Sequence, residues 1–197
     1  MQNSKEFLNY VIKRCKTRGI TVFLGKGKKV RCDGVLTSGF FDDVNKVLAV
    51  AMGNDNYLNI LAHEFCHFKQ WDEQCPIWVK AVKSKSYENF WKYISKKKCK
   101  DPIKNISICR DLELDCEKRV VDLIKEHDLP INVKEYIQKA NAYVYFYNWM
   151  KTTKRWCKPN NTPYSNERLV SAMPTHFNND YSFIPDKLLK IYKEENI

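Results

Sequence analysis

The sequence predicts an α+β fold: a small twisted sheet preceded by an N-terminal helix and followed by a helical C-terminal lobe. Three observations support this. Short runs rich in β-branched and aromatic residues are confined to positions 20–52, apolar residues recur at helical spacing on both sides of them, and every periodic segment beyond Pro76 has the helical period. The length of 197 residues suits one domain. The change of period divides it into an α/β lobe of about residues 1–74 and a helical lobe of about residues 75–197.

Taken in order, residues 4–18 carry a stripe of Phe7, Val11, Ile12 and Cys15, and Gly19 stops that helix. Runs at 20–24, 35–41 and 47–52 read as strands, with residues 26–31 as a hairpin loop or a further edge strand. Asn54, Asp55 and Asn56 offer N-caps for a helix reaching about Trp71. Helices are then expected at 87–97, 106–127, 133–154 and 185–194.

Bulk properties exclude several classes. No run of about 18 apolar residues is present, so no membrane span is expected. The polar N-terminus lacks the apolar core of a secretory signal, which points to a cytoplasmic protein. Eight cysteines include no C-x-x-C pair, so they read as reduced, packed thiols and not as a zinc finger or ribbon. The formal net charge of +11 comes from lysine-rich stretches at 26–29, 80–85, 92–100 and 151–155. Such a field attracts nucleic acid and other polyanions, although no nucleic-acid motif accompanies it.

The chemistry concentrates in His63-Glu64-Phe65-Cys66-His67. Four residues on a helix bring His63 and His67 to one face, where both imidazoles can bind one metal ion. Glu64 lies about 100° round the helix, within reach of a water activated by that metal, and is the expected general base. Two of the four histidines fall in this pattern. Leu58, Leu61, Ala62 and Phe65 supply an apolar lining.

A catalytic zinc takes three protein ligands. Position 73 is Glu73 and position 70 is Gln70, which excludes the histidine-based extension of the motif, and the next histidine is the distant His127. His127 itself reads as a dipole partner at a helix C-terminus. Carboxylates on a second helix remain. Around the stripe Cys109, Leu112, Cys116, Val120 and Leu123, Glu113 and Glu117 border the apolar face. Acids there are costly unless a cation compensates them.

The two motifs together resemble the gluzincin class of zinc metallopeptidases, in its small single-domain ImmA/IrrE-like and minigluzincin forms. In these, His-Glu-x-x-His is followed by a second helix with an acid ligand and a further polar residue four positions on. Glu113-Leu-Asp-Cys-Glu117 is similar, and the resemblance covers about residues 46–121. It implies a zincin-like fold, Zn2+ as cofactor, His63, His67 and Glu113 as ligands, and Glu117 as the acid orienting a ligand histidine. This chain has Glu where the family has Asp or Asn, so Glu117 as ligand with Glu113 outside stays open. The class also uses the strand before the active helix to hold an extended substrate, a part that residues 47–52 are placed to play.

The expected function is therefore that of a hydrolase, a zinc-dependent metallopeptidase acting on a protein or peptide. Oxyanion stabilisers are sought in the polar, punctuated stretch 162–176, with Tyr164, Arg168 and His176 as candidates. The alternative is a basic nucleic-acid- or partner-binding protein with a structural or vestigial metal site. The run Tyr143, Tyr145, Phe146, Tyr147, Trp149 beside Lys151, Lys154 and Arg155 suits such a surface, but reads better as a helix packed on two sides.

Overall fold

In the computed structural model, which describes residues 2–32 and 34–197, the chain is α+β. Helix α1 (Gln2–Thr17) is followed by strands β1 (Thr21–Gly25), β2 (Val30–Cys32), β3 (Val35–Thr37), β4 (Gly39–Asp42) and β5 (Val47–Ala51). Helices α2 (Tyr57–Asp72), α3 (Pro76–Lys83), α4 (Ser86–Ile94), α5 (Pro102–Glu126), α6 (Val133–Thr153), α7 (Glu167–Ala172) and α8 (Asp186–Glu194) complete the described elements. The chain forms two compact units, one of residues 1–75 with 119–131 and one of residues 76–118 with 132–197. The chain passes from the first unit to the second after residue 75, and residues 119–131 return to the first, so α5 supplies residues to both.

The first unit is built on a mixed three-stranded sheet in the order β1-β5-β4. β5 pairs parallel with β1, Thr21 opposite Val47, and antiparallel with β4, Gly39 opposite Val50. The continuous apolar run Val47-Leu-Ala-Val-Ala explains why β5 takes the centre, since a strand covered on both faces needs no polar alternation. Leu48, Val50 and Ala51 are fully buried. The run read as one strand at 35–41 splits at Ser38: β3 pairs with β2 in a separate hairpin, and β4 crosses to the main sheet.

Helix α1 buries Phe7, Val11 and Cys15, three of the four residues of the expected stripe. Phe7 meets Phe65 of α2 edge-on at 6.2 Å and 85°. His127 packs between Phe7 and Tyr10, with ring centroids at 5.0 and 4.7 Å, so it is a side chain of the first unit's core as well as a residue beyond the end of α5. Burial pushes the Cys15 thiol up to about 12.

The second unit is helical. Its core centres on α6, where Val144, Tyr145, Phe146, Tyr147 and Met150 are buried with Phe90 of α4, Ile106 of α5 and Tyr192 of α8. The aromatic run of α6 is therefore core and not a stacking surface. Asn132 caps α6 by accepting from the backbone N–H groups of Lys134 and Glu135. The polar, punctuated stretch 162–176 contains the short helix α7, because the Asn166 side chain accepts from Leu169 N and starts a turn. Arg110 is buried and donates to Asn148 Oδ1 at 3.2 Å and to the Tyr181 carbonyl at 2.7 Å, tying α5 to α6 and to the segment before α8.

Candidate functional site

Helix α2 carries the histidine motif. Its start is set by Asn54, whose side-chain oxygen accepts from Asn56 N at 2.9 Å, and Asn56 is the N-cap. Leu58, Leu61, Ala62, Phe65 and Phe68 are buried and fix the rotation of the helix. His63 and Glu64 are half-buried, while His67 is buried. The Nε2 atoms of His63 and His67 lie 3.2 Å apart, with the rings nearly perpendicular at 86°.

That separation bears on metal binding. Two imidazoles at about 2.0–2.1 Å from a tetrahedral zinc would place their nitrogens about 3.3 Å apart. The second nitrogen of His67 is held as a ligand requires. His67 Nδ1 donates to Gln70 Oε1 at 2.8 Å, so the proton sits on Nδ1 and Nε2 carries the lone pair that a metal needs. Gln70 is fully buried, which locks this orientation. In the sequence, Gln70 stands out only as a departure from another motif. Its signal is an i,i+3 polar residue on the histidine face.

Strand β4 approaches α2 at Glu64. A Cβ on Gly39 would stand 2.5 Å from Ile60 Cγ2, 3.0 Å from the Ala49 carbonyl and 3.1 Å from Glu64 Cγ. Only glycine lets the strand close on the helix here. Residues 47–52, expected as the substrate-holding strand, form the centre of the sheet instead. Both backbone edges of β5 are taken by β1 and β4, so no peptide can add to it. The outer strand that lies beside Glu64 is β4.

The acid pair belongs to the second unit. Glu113 and Glu117 are 4% and 5% exposed, which makes them core residues and not rim residues of a solvated helix. Tyr87 of α4 donates its hydroxyl to Glu113 Oε1 at 2.7 Å. Tyr136 of α6 donates its hydroxyl to Glu117 Oε2. Burial and the Glu113 charge together push Tyr87, Tyr143 and Tyr147 well above the ordinary tyrosine range. Neither Tyr87 nor Tyr136 stands out in the sequence, because each reaches its carboxylate across 26 or 19 residues.

The three oxyanion candidates fall in different surroundings. Tyr164 is 48% exposed and packs edge-on against Tyr143 at 6.0 Å. Arg168 is paired with Glu194 at 2.5 Å and Glu195 at 2.8 Å, an exposed fork that joins α7 to α8. His176 is exposed, and its carbonyl accepts from Asn141 Nδ2 at 3.0 Å. The Tyr143 ring that Tyr164 meets has its phenol pushed up by burial and by the Glu113 charge.

Imidazole nitrogen and carboxylate oxygen are ordinary zinc donors, so His63, His67 and one of the two acids fit the ion in kind. Cys15, Cys66, Cys75, Cys109 and Cys157 are buried thiols outside any disulfide, as expected of packed hydrophobes. No helix of the described residues is long and apolar enough to cross a membrane. No protein-family model matches the chain, and no curated protein and no solved structure matches it significantly.

Proposed function

We propose that this chain is a zinc-dependent peptidase of zincin-like build, with His63, His67 and Glu113 as metal ligands, Glu117 as the acid behind them and Glu64 as general base. The observation that carries the reading is the 3.2 Å separation of the two Nε2 atoms with His67 oriented by Gln70. A pair of helix-borne imidazoles aimed at one point, one of them tautomerically fixed, is what a bound divalent ion needs. The burial of two carboxylates on α5 adds support, since acids in a core call for positive charge. α5 is continuous from Glu113 to Arg119, and Arg119 is paired at 2.5 Å with Glu73, the residue that ends α2.

When bound, zinc supplies Lewis acidity and brings the pKa of its water to about 7. Glu64 takes the proton of the attacking water and returns it to the leaving amine. Gln70 holds His67, and Tyr87 and Tyr136 hold the two acids, so each of these groups is oriented within its own unit. The outer strand β4 holds an extended peptide by backbone hydrogen bonds, and Gly39 keeps that peptide close to Glu64.

The test is metal content and peptide hydrolysis measured on the wild type and on Glu64→Gln. The expected result is about one zinc per chain in both, with hydrolysis reduced about 10²- to 10⁴-fold in the variant. A purified wild type that is folded, carries no zinc and acquires none on dialysis against it would overturn the reading.

A further inference from the structure

The second unit carries a surface that hydrolysis does not use. Trp91 of α4 and Trp156, beyond the end of α6, are 49% and 38% exposed. Their rings pack on each other, with centroids 5.3 Å apart and planes at 37°. Both rest on the buried Phe90, at 5.0 and 6.3 Å, and Trp156 also meets the buried Phe146 at 5.6 Å. The core thus fixes the pair, and its outer side is left to solvent.

Charge gathers on the same segments. The second unit has 21 Lys and Arg against 12 Asp and Glu, so it holds nine of the eleven net positive charges. Within it, residues 85–100 carry six lysines against the single acid Glu88, and residues 154–158 carry three cations and no acid. Lys154 Nζ lies 5.3 Å from the centre of the Tyr93 ring, and the Tyr93 hydroxyl donates to the Lys151 carbonyl at 2.8 Å. The two cationic segments therefore meet at the tryptophan pair. Lys96, Lys97, Lys98, Lys100, Lys154 and Lys158 are all exposed.

We propose that this surface binds single-stranded nucleic acid, with bases stacked on Trp91 and Trp156 and phosphates met by the lysines of residues 92–100 and 154–158. Two fixed aromatic planes offer faces to any base, and the surrounding cations neutralise the backbone. A bilayer would need apolar side chains beside the rings. Here the flanking residues are cationic, Lys92 after Trp91 and Arg155 before Trp156, while Tyr93 and Ile94 pack against the core. A duplex, whose bases are already stacked, has no use for the tryptophans. No residue of the proposed hydrolytic set belongs to this surface, so Glu64→Gln binds as the wild type does.

The test is fluorescence anisotropy with a labelled oligo-dT of about 15 nucleotides, which covers the usual site sizes. It is read from about 50 to 200 mM NaCl, with tryptophan quenching followed in parallel. A duplex of equal length and phosphatidylserine vesicles are the competitors. The expected result is salt-sensitive binding that quenches tryptophan and prefers the single strand. Trp91→Ala/Trp156→Ala weakens binding at least about tenfold. Trp91→Phe/Trp156→Phe restores it to within about threefold, since a smaller ring still offers a face. Lys96→Glu/Lys97→Glu/Lys98→Glu lowers affinity and flattens the salt dependence by about 0.7 for each phosphate that is no longer neutralised.

The proposal fails if the wild type does not bind at about 50 mM salt, where phosphate binding is strongest. It also fails if the alanine pair binds as tightly as the wild type, or if duplex or vesicles compete better than the single strand. Should the alanine pair lose its circular dichroism signal, the exposed lysine triple variant decides, and unchanged affinity and salt slope there would be equally fatal.

Discussion

Helices α2 and α5 both carry side chains of the proposed centre, but they hold them differently. On α2 the parts are local: His63, His67 and Gln70 share one face within two turns, and the helix itself sets their spacing. On α5, Glu113 and Glu117 are held by tyrosines from other elements, Tyr87 of α4 and Tyr136 of α6. A centre built on one helix depends on helical geometry alone. A centre that borrows its supports depends on the packing of the whole unit, and the two should break in different ways.

The sharpest separation comes from the two acids. Glu113→Ala is expected to abolish stoichiometric zinc binding, while Glu117→Ala weakens it about 10- to 100-fold, the usual cost of an outer partner. Metal content after dialysis against a calibrated chelator reads both, and the reverse ranking would exchange their roles. Next is Gln70→Ala on the local side. It releases the His67 ring from its fixed orientation and should cost about tenfold in zinc affinity, with the thermal midpoint of the apo-protein little changed. A collapse of stability there would mean that α2 is not self-sufficient.

Smaller effects are expected where supports are borrowed. Tyr87→Phe removes a hydrogen bond to a buried carboxylate and should lower stability by about 2 kcal/mol in urea unfolding, with the histidine pair unaffected. The smallest effect is at the C-terminal end of α6. Burial and the nearby Arg110 charge hold the Lys151 ammonium down at about 8. An unfolded lysine titrates near 10.4, so from about pH 8 to 10 the unfolded chain binds a proton that the folded chain has released. Stability from this group therefore rises with pH across that window, and its penalty is complete below about pH 8. Lys151→Met should raise the melting temperature at about pH 7, by the equivalent of less than about 1 kcal/mol given solvent screening, and lose that gain at about pH 10. An equal gain at both pH values would assign the effect to packing.

What could be read in advance follows the same line. The extent of α2 was legible because Asn54 and Asn56 sit before an apolar period that runs to Trp71, and the meeting of His63 and His67 was legible because an i,i+4 pair needs no tertiary information. The strand at 47–51 was also legible as a strand, from its unbroken apolar run. Its central place was not. The same run fits an edge strand under a helix or a middle strand, and only the pairing of β1 and β4 decides between them. Likewise the aromatic run of α6 was readable as core from its two-sided pattern. The exposed tryptophans were not readable as a pair, because one lies on α4 and the other 65 positions later, beyond α6.

By itself the sequence determined the α+β class, the helix that carries His63, Glu64 and His67, and the presence of two acids on a later helix. Each of these is written in spacing along one segment, where backbone geometry converts sequence distance directly into direction. The tertiary structure alone decided that Gly39 lets β4 close on Glu64, that Gln70 orients the His67 ring, and that Tyr87 and Tyr136 hold the buried acids. It also joined Trp91 to Trp156 in one basic surface. These are meetings of segments far apart in the chain or choices of side-chain orientation, and both are set by packing, which no local pattern records.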